Sequence, residues 1–399
     1  MNYKIKKKSF DCFLLALIIS ISEIFNNGNY NLLYIFGIIF FIKIVLKKVK
    51  KDFFTLCLFS IYIIITAIII SLFSPLFSSY SKTFLYCFKL MIAFAVFLFF
   101  KNSKLNYEDI RLTVKYFIYI QIVLTLSALI FYGNSLLWIN NDIINGFTNI
   151  RLKLFFIEPS YLAFYLSVAI LVEIYDFCFG TKEKSNIIRI VLSFIMIILA
   201  FSISGIIYSC FAIIMVLTKL FVISIRNNKV SKYFVFSLIC VVALFFILIS
   251  NNNISGRMER VINGTDASTS YRVKKTMDSL PIILKKSYYF GFGYGNMNTN
   301  YGLEILNNLG VAQNYSNAFP YFIAETGIFG IIFLLYFHGF IIKNLKNNYG
   351  NRYILLKKMM VYFLIFTSIA GNWFTNPGLW MLYGLTIAKG GNYSENNSN

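Results

Sequence analysis

Charge is the first thing this chain lacks. Of its 399 residues only 13% are Asp, Glu, Lys or Arg, while 58% are hydrophobic and the mean hydropathy is +0.69; a soluble domain would carry about a quarter charged residues. That excludes a soluble globular protein. The six cysteines, Cys12, Cys57, Cys87, Cys178, Cys210 and Cys240, show no C-x-x-C spacing and none lies in a polar loop, which argues against a disulfide framework and against a metal site. No A-x-A-like cleavage site follows the basic start Lys4 to Lys8 and its apolar run, so this segment reads as a retained first helix. No internal repeat is visible, and low-complexity sequence is confined to the tail GGNYSENNSN.

What is present is a succession of apolar runs, each long enough to cross about 30 Å of hydrocarbon as a helix. They predict an all-α, polytopic membrane protein of about twelve spans: 10–25, 30–46, 53–73, 84–100, 116–132, 157–178, 187–201, 205–225, 233–250, 318–342, 354–373 and 378–388. Residues 1–399 form one membrane domain, with a long loop over 251–317 and a disordered tail over 389–399 as expectations. The net charge of +21 comes from Lys and Arg in the short gaps between runs. Orientation explains it better than nucleic acid does. With both termini cytoplasmic, the basic gaps fall inside and nearly charge-free gaps such as SPLFSSYSK and SISG fall outside. The exception is the outer loop 251–317, and loops of that length are usually functional.

Candidate chemistry gathers on that outer side. Glu158 and Pro159 open the sixth span in FFIEPSYLAFYL. Proline suits a first helical turn and a carboxylate suits its positive end, so a helix cap is one reading. The other is an acid at the mouth of an outward cavity, acting as general base toward a hydroxyl. In the long loop Arg257, Arg260 and Arg272 precede Pro281 and the GFGYG run, and arginine forks match phosphate oxygens. Anionic lipid headgroups are the competing partner. GFGYG lacks the flanks of a nucleotide loop and reads as tight turns. Glu325 is expected five residues below Pro320, roughly 7 Å deeper; an intramembrane acid is functional by default or else ion-paired. Lys89 is expected at similar depth, able to pair with that acid, touch a phosphate or snorkel. His338 is placed roughly 30 Å below the start of its helix, too far for outer-face chemistry. Glu173 and Asp176 are placed at the inner end of their span, in solvent. Tyr288, Tyr289, Tyr294 and Tyr301 could stack on sugars or anchor the interface.

Taken in order, Phe156 to Ala163, Arg257 to Gly295 and Asn317 to Gly330 resemble the O-antigen polymerases, the Wzy-type enzymes within the wider polymerase and ligase superfamily. The resemblance implies a membrane glycosyltransferase of O-antigen, lipopolysaccharide or capsule biosynthesis, in the bacterial inner membrane with its active site on the outer face. It would use undecaprenyl diphosphate-linked oligosaccharide and no cofactor. A chain-length regulator and a flippase would be further partners. On this reading Glu158, Arg257, Arg272 and Glu325 are the catalytic candidates. Arg257, Arg260, Arg272, Lys89, Arg151, Ser160 and Asn317 are the candidates for binding substrate and diphosphate. One departure is informative. The related ligases usually show a histidine just before the E-x-G-x-x-G span, where this chain reads Gln313-Asn314-Tyr315-Ser316-Asn317. A lipid-linked oligosaccharide flippase is the alternative from another class, and a ligase the alternative within this one. A transporter would show mid-membrane charges on several helices and, often, a repeat.

Overall fold

The structure, a computed structural model, describes residues 2–24, 31–47, 50–139, 150–227, 276–310, 315, 317–346, 352–371 and 374–388, with residues 256, 259 and 263. Among these the chain is almost wholly helical: α1 (Asn2–Ser20), α2 (Tyr34–Lys47), α3 (Lys50–Phe73), α4 (Tyr80–Lys101), α5 (Tyr107–Ile130), α6 (Pro159–Phe179), α7 (Lys184–Leu199), α8 (Ile203–Arg226), α9 (Thr276–Lys286), α10 (Asn300–Asn308), α11 (Ala318–Lys346), α12 (Arg352–Ala370) and α13 (Pro377–Thr386). A two-residue antiparallel pair, β1 (Trp138–Ile139) with β2 (Arg151–Leu152), lies between α5 and α6. Helix is the form such sequences must take, because it satisfies every backbone group within the segment.

Seven described helices are long and apolar enough to cross a membrane: α3, α4, α5, α6, α8, α11 and α12. Four further expected spans coincide with the shorter or more polar helices α1, α2, α7 and α13. The span expected at 233–250 lies outside the described residues.

Helix α6 is the hub, with 94% of its apolar window buried inside the protein. It packs on α5, α7, α8 and α12. Small residues set its crossing with α8: a Cβ on Gly205 would come within 2.3 Å of the Ala163 Cβ, and the Ser167 and Ser209 hydroxyls lie 2.9 Å apart. Without a hydrophobic drive between helices in lipid, such close approach and interhelical hydrogen bonds supply the association.

One end of the bundle, the lower, holds most of the described ion pairs. Arg189 Nε donates to Glu173 Oε1 at 2.8 Å, Tyr107 donates to Asp176 at 2.5 Å, and Lys8 pairs with Asp109 at 2.9 Å. The expectation that Glu173 and Asp176 are solvated is therefore corrected: they are 1% and 0% exposed. Asp176 also accepts from Asn186 at 2.7 Å and from the Thr181 hydroxyl at 2.7 Å. A buried carboxylate is tolerable only with such partners.

The upper end is formed by the α3–α4 turn and by α11, which is not one straight rod. Its backbone breaks at Gly327, with φ 57° and ψ −135°. The Phe319 and His338 rings lie 5.2 Å apart and those of Phe322 and Phe333 5.9 Å apart; nineteen residues of continuous helix would separate the first pair by about 28 Å. The two arms fold back on each other as a hairpin. This corrects two expectations. His338 is packed against Phe319, Phe337 and Tyr383 in the bundle, and is not 30 Å from the start of its helix. Glu325 lies near the hairpin apex, above Pro320 and not below it: Tyr86 faces Glu325, whereas Phe97 packs on Phe337 beside His338. Eleven residues of α4 separate those levels, about 16 Å.

Candidate functional site

Leu152, Leu154 and Phe156 are buried at 0–2% exposure, and they anchor the segment that delivers Glu158 to the head of α6. Glu158 occupies the N-cap position with extended backbone (φ −131°, ψ 150°), and Pro159 begins the helix. Its side chain makes no capping hydrogen bond. Instead Oε2 accepts from the Ser160 hydroxyl at 2.9 Å, and the residue is exposed. Phe117 of α5 and Tyr165 of α6 lie at one level, their rings 6.3 Å apart. From there α5 climbs about 20 Å to Ile130, while α6 climbs only about 9 Å to Pro159. Glu158 thus lies one step, about 10 Å, below the upper end of α5.

A second acid shares this step, and sequence reasoning passed over it. Helix α1 ends at Ser20, short of the expected 10–25 span, and Glu23 lies in the turn beyond it. Glu23 is 4% exposed. Its Oε2 accepts from the Ile157 N–H at 3.0 Å, one residue before Glu158, and its Oε1 lies 3.5 Å from Asn31 Nδ2. Burial pushes its carboxyl up to about 7; the Ile157 N–H offsets part of the rise and the nearby Glu158 charge adds to it. The only sequence signal was an acid closing an apolar run without a basic neighbour. Tyr165, which is buried beside Glu23, has no hydrogen-bond partner for its hydroxyl among the described residues.

The glycine run builds a different feature. Gly291, Gly293 and Gly295 all have positive φ (83°, 93° and 74°), as expected of tight turns. Phe292 N and Gly293 N donate to the Ala324 and Glu325 carbonyls at 3.0 and 2.7 Å. A Cβ on Gly291 would lie 2.6 Å from the Glu325 carbonyl, so only glycine permits this docking. Beyond the break, Ile328 N donates to the Tyr289 carbonyl at 2.9 Å. The loop thus pairs backbone groups that the interruption of α11 would leave unsatisfied. Glu325 is 0% exposed, ringed by the Tyr321 and Tyr86 hydroxyls and by the Gly295 and Met297 N–H groups, none closing a hydrogen bond of full geometry. Asn296, also buried, ties the loop to the α3–α4 turn, accepting from Ser79 N at 2.6 Å and donating to Thr83 at 2.8 Å.

The remaining candidates scatter. Arg151 is half-buried on β2 and its Nε donates to the Ala200 carbonyl at 3.2 Å, on the α7–α8 turn. Two residues on, partial burial lowers the Lys153 ammonium below its ordinary range. Lys89 is half-buried on α4, within reach of the Lys82 charge. Asn317 is buried at the start of α11, its carbonyl accepting from Tyr321 N at 2.9 Å. Of the four tyrosines, Tyr294 is fully buried with its hydroxyl 2.9 Å from Thr66, which removes it as a sugar platform. Tyr288, Tyr289 and Tyr301 are exposed. Arg257, Arg260 and Arg272 lie outside the described residues. Among the described residues no group of three or more His, Cys, Asp or Glu side chains could hold a metal ion.

A helix broken within E-T-G-I-F-G and capped by a glycine loop is a specific arrangement, and the family comparison falls on it. The family profile described as O-Antigen ligase matches residues 188–335. This stretch supports the O-antigen ligase and polymerase superfamily. The match takes in the glycine loop, Glu325 and the three loop arginines, and leaves Glu23, Arg151, Glu158 and Ser160 outside it. None of the curated proteins compared matches the chain. Over that stretch, which is less than half of the chain, the protein is similar to the O-Antigen ligase family, and the described apolar helices fit a multi-pass membrane protein.

Proposed function

We propose that the protein is a polysaccharide repeat-unit polymerase, acting on O-antigen or capsule precursors at the outer face of the bacterial cytoplasmic membrane, with its upper end outward. The observation that carries this reading is Glu158: an exposed carboxylate, at the head of the most buried of the seven long apolar helices, that makes no capping hydrogen bond. A cap would supply a structural reason for the acid, and its absence leaves the carboxylate open to substrate. In the reaction, a hydroxyl of one lipid-linked repeat unit loses its proton to Glu158 as its oxygen bonds the anomeric carbon of the growing glycan on a second carrier. The bond from that carbon to the carrier phosphate breaks, and undecaprenyl diphosphate leaves with the electron pair. Arg257, Arg260 and Arg272 are the groups suited to the charge that develops there. Arg151, Lys89, Ser160 and Asn317 remain further candidates for holding substrate. Glu325, enclosed by its own loop, serves to seat that loop.

A ligase would differ only in its acceptor, and the absence of an imidazole from 313–317 favours the polymerase. A transporter is disfavoured because the chain shows no repeat. The test is complementation of a deletion strain. Glu158→Gln should leave lipid-linked single repeat units and abolish long chains at normal protein level in the membrane. Accumulation of long lipid-linked chains would mark a ligase instead, and a normal ladder would remove Glu158 from the reaction.

A further inference from the structure

Glu23 has no part in the reaction as written, yet it is a buried acid bonded to the segment that delivers Glu158. Its Oε2 accepts from the Ile157 N–H at 3.0 Å, the peptide that leads directly into Glu158. Asn31 braces the other oxygen at 3.5 Å, and Asn31 is itself fixed by accepting from Leu33 N at 2.9 Å. The turn is closed from its other side by Leu32 N, which donates to the Ser22 carbonyl at 2.8 Å. So the loop after α1 is organised around one carboxylate, and that carboxylate reaches across to the residue preceding the proposed base.

Among the described residues no cation pairs with Glu23. The titratable groups whose charge reaches Glu23 are Glu158 and Tyr165, among the described residues, and neither is a cation. The Tyr165 hydroxyl is buried and without a partner among the described residues, and Tyr165 lines an apolar cavity of about 60 Å³ together with Ile19, Phe117 and Met381. A carboxylate placed only for stability would be given an arginine or lysine, as Glu173 is at the lower end.

Resting on the reading of Glu158 as the base, we infer that Glu23 is its positioning residue: it fixes the Ile157–Glu158 peptide through the N–H bond and couples its own charge to proton transfer at Glu158. The Glu158 charge reaches Glu23, so the Glu23 charge also reaches the proposed site of proton transfer. When Glu23 ionises, its negative charge favours movement of the acceptor's proton toward that site. Chain extension should therefore rise across the pH range in which Glu23 loses its proton, at about 7.

The experiment compares wild type, Glu23→Gln and Glu158→Gln in proteoliposomes, supplied with lipid-linked oligosaccharide extracted from the deletion strain, between pH 5.5 and 8.5. Glu23→Gln keeps an oxygen for the Ile157 N–H and removes the titration. It is expected to extend chains at a rate that no longer rises near neutrality and that falls at least several-fold below wild type at pH 8, with the KM for the lipid-linked substrate little changed. A Glu23→Gln profile parallel to that of wild type, with Glu158→Gln inactive, overturns the coupling and leaves the base assignment standing. Activity in Glu158→Gln overturns the base assignment itself. Should Glu23→Gln fail to accumulate, pH-difference infrared spectra of the wild-type protein decide the matter. A carboxyl band that disappears near pH 7 is expected, and its absence there contradicts the inference.

Discussion

A carboxyl group buried against a single N–H binds its proton more tightly than one in water, and at Glu23 that difference has a measurable consequence. The folded state raises its affinity for the proton, from the ordinary 4.5 to about 7. The associated stability is fully present below about pH 4.5 and is lost as pH rises through about 7, because the unfolded chain ionises freely where the fold resists it. The magnitude is on the order of 3 kcal/mol at most. Thermal unfolding in detergent should show wild type losing stability between pH 5 and 8, and Glu23→Gln much less sensitive to pH; identical slopes would contradict the burial. At this scale the sequence was partly legible. Glu158 stood out because an acid beside a proline at the lip of an apolar run has few roles. Glu23 did not, because ISEIFNNGN reads simply as the end of a span, and the bond that matters crosses from Glu23 to Ile157, 134 positions on.

At the scale of elements, α11 is where linear reading failed. The run AFPYFIAETGIFGIIFLLYFHGF is apolar almost throughout, and nothing in its hydropathy marks a reversal. The E-T-G step is the signal, and it became readable only with the glycine loop docked on it: the loop's N–H groups satisfy the carbonyls that the break frees. A Cβ at Gly327 would fall 1.9 Å from the Tyr289 carbonyl, at φ +57°, and a left-handed non-glycine residue alone costs roughly 1–2 kcal/mol. Gly327→Ala should therefore sharply lower folded protein recovered from membranes. Gly339→Ala, on the same helix with nothing within 4 Å of the added carbon, should not. Equal recovery of the two would show that the hairpin does not depend on this glycine. The continuous spans α3, α4, α5, α6 and α8 were legible because an unbroken apolar run of that length has only one conformation open to it in lipid.

The whole molecule has two unlike ends. The lower carries Lys8, Lys101, Arg111 and Lys182 among its ion pairs and turns, and the upper carries Glu23, Glu158 and the docked loop. Positive residues in short loops favour the cytoplasmic side, and the proposed orientation with Glu158 outward rests on that rule. With the native cysteines replaced, an impermeant maleimide applied to spheroplasts should label Ser81→Cys, exposed beside the α3–α4 turn, and spare Ser185→Cys at the lower end; the reverse pattern would put the site on the wrong face for lipid-linked substrates delivered outside. Sidedness is argued from charge because it depends on composition at loops and not on packing. The central claim, that the uncapped carboxylate at the head of α6 accepts the acceptor's proton, is tested most directly by purified protein in proteoliposomes with extracted lipid-linked repeat units. Glu158→Gln should bind these units as wild type does and form no dimer of repeats. Chain extension by Glu158→Gln at the wild-type rate would contradict the account.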